Sequence, residues 1–162
     1  MKYILFFFLF ISYNQTYGQL RLNDLFKLFT RSDDDFDKFI SSKEFKLEKS
    51  VHPQADYEDS YDIYAKGNGS NKIILTDGSN VAFHYLTYET SNQKEIVIIK
   101  NDLIKEGYKL KRTSWEKGKK IEEYFKQNNS DDSSINIKFY TIPAIGVKKW
   151  VTYEIELSKE SN

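Results

Sequence analysis

The two histidines of this chain have the widest chemical repertoire near neutral pH. His84 lies between Phe83 and Tyr85 in a stretch that has the alternation of a strand. A catalytic histidine needs a nucleophile and an orienting carboxylate, and no local motif such as G-x-S-x-G supplies them. We therefore interpret His84 as a binding residue on a strand face and predict no catalytic residue.

A second group of side chains could in principle hold a metal ion. His52 is followed by Asp56, Glu58 and Asp59, and histidine and carboxylates are ligands for divalent cations. Their spacing matches no standard metal-binding motif. The acidic run at 33–37 lacks the alternating acids and the glycine of a calcium loop, and it suits the start of a helix. We predict no metal site and no cofactor.

Aromatic side chains are the other chemical resource of the chain, with 12 Tyr, 12 Phe and 2 Trp among 162 residues. Tyr and Trp suit contact surfaces because they combine a large, rigid area with a polar tip. Strand alternation indicates a second aromatic face, opposite the one that would be packed. An alternative remains open, in which that face is packed under loops or another chain. The predicted binding residues are Tyr140, Trp150, His84 and Tyr88.

These side chains have to be positioned by the helices and strands of an α+β domain. Apolar residues at helical spacing predict helices over 23–30, from Ser32 onward and over 91–106. In the third helix we expect Ile96, Ile99, Leu103 and Ile104 to form the buried stripe. Gly107 predicts the end of that helix.

Alternating apolar residues predict four strands after each helical part. In the first half, strands are expected from Phe45, around Tyr61, before Asp77 and after Gly78, since Asp-Gly is a strong hairpin signal. In the second half, strands are expected from Tyr108, Ile121, Ile135 and Val151, with a turn at Gly118.

Short matches between the two halves indicate an internal duplication. Three segments of the first half recur in the second, in the same order and at nearly equal separations: Phe45-Lys-Leu47, Tyr64-Ala-Lys66 and Leu86-Thr-Tyr-Glu89 match Tyr108-Lys-Leu110, Tyr124-Phe-Lys126 and Val151-Thr-Tyr-Glu154. We predict two tandem repeats, 19–90 and 91–162, each a helix plus four antiparallel strands. They are expected to form one compact unit with one extended sheet and the helices on one face.

The segment 1–18 has the pattern of a secretory signal peptide. Lys2 precedes an uncharged apolar run, and small residues at 16 and 18 precede an expected cleavage before Gln19. The chain has no cysteine, which excludes disulfides and a thioether-linked lipid anchor. We predict an exported protein, periplasmic or secreted.

The charge of the mature chain limits its partners. Residues 19–162 have 23 Lys and Arg against 24 Asp and Glu, a net charge of −1. Nucleic acids and anionic membranes favour a basic excess, so we predict another protein as the partner, no nucleic acid and no membrane span in the mature chain. The oligomeric state is not determined by the sequence.

These observations together favour a non-catalytic, exported protein-binding domain, such as a periplasmic inhibitor or an immunity-type protein. The alternative is a small hydrolase or a ligand carrier with a site around His84.

Overall fold

The computed structural model of the protein describes residues 19–30, 36–53, 59–67, 69–77, 83–126, 135–144 and 151–160. These ranges contain three helices and eight strands, so the predicted α+β class is confirmed. The helices are α1 Leu22–Thr30, α2 Phe36–Ser42 and α3 Gln93–Lys105. The strands are β1 Lys46–Val51, β2 Ser60–Lys66, β3 Asn71–Asp77, β4 Phe83–Thr90, β5 Lys109–Glu116, β6 Lys119–Phe125, β7 Ile135–Ile142 and β8 Thr152–Glu160.

All eight strands form a single antiparallel sheet, in the order β1-β2-β3-β4-β8-β7-β6-β5. Strands β1 to β4 are consecutive neighbours, and so are β5 to β8. The two groups are joined by β4 and β8, whose central pair is Leu86 opposite Leu157. Strands β1 and β5 are therefore the two edges of the sheet.

One face of the sheet, which we call the core face, carries most of the buried residues of the strands. Alternation along each strand places them there, and the cross-strand register aligns them from strand to strand. The opposite side is called the second face. The buried core-face residues are Tyr64, Ile73, Leu75, Leu86, Tyr88, Tyr124, Ile137, Phe139, Ile155 and Leu157.

Each helical segment contacts residues of the core face. α1 buries Leu22, Leu25, Leu28 and Phe29 and packs against β4 and α3. The Phe36 ring of α2 lies 5.8 Å from the Tyr64 ring. The Lys100 ammonium of α3 lies 4.9 Å from the centre of the Phe139 ring. Among the described residues, no helix is both long and apolar enough to cross a membrane.

Helices α2 and α3 end in the same way. Each ends just before a segment of the first matched pair, which is Phe45-Lys-Leu47 for α2 and Tyr108-Lys-Leu110 for α3. The Phe45 amide donates to the Ile40 carbonyl at 3.2 Å, and the Tyr108 amide donates to the Leu103 carbonyl at 3.0 Å. The residue before each donor has a positive φ, 66° at Glu44 and 87° at Gly107. This geometry is a Schellman C-cap, and the predicted helix end at Gly107 is confirmed.

The two edge strands also share a β-bulge. The register shifts between Leu47 and Lys49 where β1 pairs with β2, and between Leu110 and Arg112 where β5 pairs with β6. Both bulges begin at the last residue of the same pair of matched segments. The turn that joins β5 to β6 has a positive φ at both Lys117 and Gly118, as a type I′ hairpin requires, so the turn predicted at Gly118 is confirmed.

The expected stripe of α3 is wrong at one position. Ile96, Ile99 and Leu103 are buried, but the Ile104 side chain is 62% exposed. Successive helical residues are about 100° apart, so Ile104 lies on the flank of α3, beside the side on which Leu103 is buried. The predicted start of the second helix at Ser32 lies outside the described residues.

Candidate functional site

The second face of the sheet carries an apolar patch on strands β2, β3 and β4. Ile63 lies directly opposite Ile74, and Thr76 lies opposite both Tyr61 and Tyr85. These side chains are partly exposed, and the Tyr85 side chain is 38% exposed. We call Tyr61, Ile63, Ile74 and Tyr85 the second-face patch.

Charged side chains border this patch. On the outer side, the Lys49 ammonium lies 2.9 Å from the Tyr61 hydroxyl and 5.2 Å from the centre of its ring. On the inner side, Glu89 lies directly opposite Glu154. Burial raises the pKa of Glu154, and Lys119 opposes this shift. The patch therefore has a basic border and an acidic border.

Beyond the acidic border, the second face is a ladder of alternating charges. An Arg112 Nη donates to Glu123 at 2.6 Å, Glu123 lies opposite Lys138, and Lys138 lies 3.6 Å from Glu156. The hydrogen bond from Arg112 lowers the pKa of Glu123. These charged groups are paired with one another. Fewer of them are therefore available to bind a partner protein, and the patch is the better candidate for a contact surface.

Tyr140, a predicted binding residue, lies within this charged half. It is partly buried, its hydroxyl donates to Glu156 at 3.3 Å, and the Lys119 ammonium lies 5.6 Å from the centre of its ring. Burial, with the nearby Glu156, raises the pKa of Tyr140. Trp150 lies outside the described residues.

Tyr88 and His84, two of the predicted binding residues, both belong to β4. Tyr88 lies on the core face with no exposed area, and its ring centre is 6.4 Å from that of Phe45. The backbone of His84 lies opposite Asp77 on one side and Lys159 on the other, while its side chain is outside the described part. Tyr88 is therefore separated from Tyr140 by the thickness of the sheet.

A buried carboxyl group, which was not among the predicted site residues, lies in the first turn of α3. Glu95 is 1% exposed, and its Oε1 accepts a hydrogen bond from the Leu20 amide at 2.8 Å. Its Oε2 lies 2.9 Å from the Tyr88 hydroxyl and 3.2 Å from the Thr90 hydroxyl. Burial raises the pKa of Glu95. The Glu95 carboxyl therefore links the backbone of the segment before α1 to core residues of β4 by hydrogen bonds.

Ser50, His52 and Asp62 meet at the β1 edge, and serine hydrolases use these residue types. Ser50 Oγ lies 2.5 Å from Asp62 Oδ1 and 2.8 Å from His52 Nε2. In a catalytic triad the carboxylate holds the other ring nitrogen and leaves Nε2 for the serine. Here the carboxylate bonds the serine itself and the imidazole is 65% exposed, so this is a surface hydrogen-bond network.

A cleft of about 540 Å³ opens between the start of α1 and the end of α3. Four of its six charged residues are paired, because Arg21 binds Asp102 through two bonds of 2.7 Å and Lys43 lies 2.8 Å from Asp24. The Arg21 bond lowers the pKa of Asp102. Within the described ranges, no group of three or more His, Cys, Asp or Glu side chains could hold a metal ion.

No match was found among protein-family models, curated proteins or solved structures. The site therefore has to be argued from its own geometry. The second-face patch was missed in the sequence, although a signal was present. Adjacent apolar residues, such as Ile63-Tyr64 and Ile73-Ile74, indicate strands that are apolar on both faces.

Proposed function

We propose that this protein is a non-catalytic, exported protein-binding domain that contacts its partner through the second-face patch. The observation that supports this most directly is the pairing of Ile63 with Ile74 beside the 38% exposed Tyr85. Partly exposed aliphatic and aromatic side chains within a charged border resemble the anatomy of a protein interface. A periplasmic inhibitor or an immunity-type protein would use such a surface.

The proposal includes an architecture of two tandem repeats, 19–90 and 91–162, with the helices over the core face and the second face left for binding. Supporting it are the C-caps of α2 and α3 and the bulges of β1 and β5, both of which recur at equivalent residues of the matched segments. The pairing of β4 with β8 is also what two copies joined at equivalent edges would have.

Export is the remaining part of the proposal. Its support is the order of residues 1–18, in which Lys2, an apolar run and small residues at 16 and 18 precede Gln19. The absence of cysteine suits a periplasmic or secreted domain that is stabilised by its core rather than by disulfides.

The test is to capture the partner from envelope extract with the purified protein, identify it by mass spectrometry and measure its affinity. Tyr85→Ala combined with Ile63→Ala should weaken that affinity by about tenfold or more, because central apolar anchors dominate interfaces. Phe125→Ala, which changes an equally exposed aromatic residue of the distant strand β6, should leave it unchanged. An identified partner that binds the double variant as tightly as the wild type would exclude the patch as the contact surface.

The alternative function is a small hydrolase or a ligand carrier with a site around His84. One observation favours it, namely that the register places the carboxylate residue Asp77 opposite His84. Hydrolysis of a model ester that His84→Ala abolishes, with the melting temperature preserved, would support this alternative.

A further inference from the structure

Four exposed apolar side chains occur together on α3 and β5, away from the second-face patch. Seven large hydrophobic residues are exposed within the described ranges, and four of them belong to these two neighbouring elements. Isolated exposed residues are ordinary, whereas a group of this kind marks an interaction surface. We call this surface the α3–β5 ledge; its residues are Val97 at 50%, Ile104 at 62%, Leu110 at 50% and Trp115 at 70% exposed.

The direction of the α3 side chains follows from Lys100. Its ammonium bonds Glu122 of β6 and lies over the Phe139 ring of β7, so this side of α3 is directed toward those strands. Val97 and Ile104 are at positions i−3 and i+4 relative to Lys100, so they lie on the same helix face. Val97 and Ile104 therefore lie along the flank of α3 that is nearer to the edge strand β5.

The residues of β5 complete the ledge. Thr113 lies opposite Glu122, and Trp115 lies opposite Lys120, which places both on the core face. Leu110 lies opposite the buried core-face Tyr124. Yet Leu110, Thr113 and Trp115 are all exposed, because α3 lies over β6 and β7 and leaves the core face of the edge strand uncovered.

The dimensions of the ledge fit one helix. Val97 and Ile104 are about 10 Å apart along α3, at about 1.5 Å per residue. Leu110 and Trp115 are about 16 Å apart along β5, at about 3.3 Å per residue. A partner helix packed between the flank of α3 and strand β5 would contact the exposed side chains of both elements over about three helical turns. The addition of a ninth strand is disfavoured, because the bulge and the lysines of β5 disrupt edge pairing.

The charge around the ledge indicates the chemistry of that helix. On the core face beside the ledge, Lys100 and Lys120 share the single carboxylate of Glu122. This group therefore has one positive charge in excess. Lys111 follows Leu110, and Lys120 lies opposite Trp115. An acidic helix would therefore gain favourable long-range attraction in addition to apolar contact.

The first half of the chain has no comparable surface among its described residues. When the two C-caps are aligned, Ile104 and Trp115 correspond to Ser41 and His52. Only the leucine at the bulge is common to both halves, with Leu47 56% and Leu110 50% exposed. An exposed apolar ledge in one half alone indicates a role beyond the stability of the fold.

We propose that the α3–β5 ledge binds an acidic amphipathic helix of another protein. The ledge differs from the second-face patch in position, in its basic surroundings and in the shape that it accepts. It would give the protein a second binding surface, and it does not depend on the function proposed for the first.

The test uses protein purified after expression of the whole chain and a fluorescent synthetic helix of about 14 residues, with leucines at i, i+3, i+4 and i+7 spacing and glutamates elsewhere. Fluorescence anisotropy should show saturable binding that weakens when salt is raised from about 50 to about 500 mM. Leu110→Asp should weaken binding by about tenfold or more. Leu47→Asp is the matched control at the other bulge and should have no effect.

Trp115→Ala provides a second variant in case Leu110→Asp fails to fold, and melting temperatures establish the folding of each. The proposal is wrong if the acidic peptide does not saturate by about 1 mM, or if a peptide with lysine in place of every glutamate binds equally well. It is also wrong if Leu47→Asp weakens binding as much as Leu110→Asp. Anionic phosphatidylglycerol vesicles that bind in a Trp115-dependent way, without peptide binding, would reassign the ledge to lipid.

Discussion

The hydrogen bonds around Glu95 contain an imbalance that a proton would resolve. The Thr90 hydroxyl oxygen accepts from the Asn92 amide at 3.1 Å and lies 3.0 Å from Asn71 Oδ1 and 3.2 Å from Glu95 Oε2. It has one hydrogen and so can donate to only one of these two oxygens. A protonated Glu95 would donate to Thr90, and Thr90 could then donate to Asn71. This agrees with the raised pKa that burial gives Glu95.

The first prediction concerns the pH dependence that follows from this group. The pKa of Glu95 is higher in the folded protein than the ordinary value of 4.5. The carboxyl therefore stabilises the fold fully at a pH below 4.5, and this contribution is lost as the pH rises through the pKa of the folded state. Glu95→Gln should therefore match the wild type in unfolding free energy at low pH and exceed it at pH near 8. Urea unfolding at both ends of this range measures the difference.

Two controls delimit the role of Glu95. Glu89→Gln removes a carboxyl from the second face and should not reproduce the pH-dependent gain. Glu95→Ala should lower the unfolding free energy by about 3 kcal/mol or more, because it leaves the Leu20 amide and the Tyr88 hydroxyl as buried donors without an acceptor. A pH profile of Glu95→Gln parallel to that of the wild type would contradict the proton assignment.

The burial of Glu95 and its hydrogen bonds could not be predicted from the sequence. Glu95 is an ordinary acid in the first turn of a helix, where the helix dipole alone explains it. Its partner Leu20 is 75 residues away, and a contact of that separation depends on how the helices pack. Tyr88 was recognised as notable, but alternation alone does not show which of two apolar faces the helices contact.

At the scale of elements, the paired C-caps make a matched comparison possible. Gly107→Ala should lower the unfolding free energy by about 1 kcal/mol, since its φ of 87° disfavours any residue with a Cβ. The new Cβ would come no closer than 3.9 Å to Lys126, so the cost is conformational. Chemical denaturation at neutral pH measures it.

The equivalent substitution in the first half should not have that cost. Glu44 already has a φ of 66°, so Glu44→Gly relieves strain while losing the exposed ion pair with Lys66, worth at most about 1 kcal/mol. We expect an unfolding free energy equal to or above that of the wild type. If Glu44→Gly and Gly107→Ala destabilised the protein equally, the two caps would not be equivalent.

The helices and strands themselves were the most predictable level of the structure. Periodicity predicted α1, α3 and the alternation of β7 and β8, because these segments bury one face and leave the other polar. Ile104 shows the limit of this reasoning. An isoleucine beside a buried leucine fits the stripe by residue type, yet its angle on the helix directs it to the α3–β5 ledge.

At the scale of the whole molecule, the contact between β4 and β8 makes the two halves one sheet. Leu86 and Leu157 lie opposite each other and neither has exposed area. Leu86→Ala should lower the unfolding free energy by about 2–5 kcal/mol and leave a single transition. Far-UV circular dichroism and tryptophan fluorescence, followed against urea, should give coincident curves.

Ile74→Ala is the comparison for this junction, because Ile74 is a partly exposed aliphatic residue of the second face. Its cost should be clearly smaller than that of Leu86→Ala. Two separate transitions in Leu86→Ala, with fluorescence and dichroism no longer coincident, would mean that the halves unfold independently.

The order of the strands could not be predicted beyond the edge-to-edge joining of two groups. Alternation specifies which side chains share a face, but not which of several free edges will pair. The eight-stranded sheet was expected from the hairpin signals, whereas its junction depends on the packing of Leu86 against Leu157 and of Tyr88 against Ile155.

The position of β8 in the chain has a consequence for when the protein can fold. Strand β8 pairs with β4 through Leu157 opposite Leu86, residues that are 71 positions apart in the chain. While the chain is being synthesised, the inner edge of the first four strands stays without its partner until β8 has left the ribosome. During that interval β4 is an open strand edge, and the incomplete chain is prone to pair there with another polypeptide.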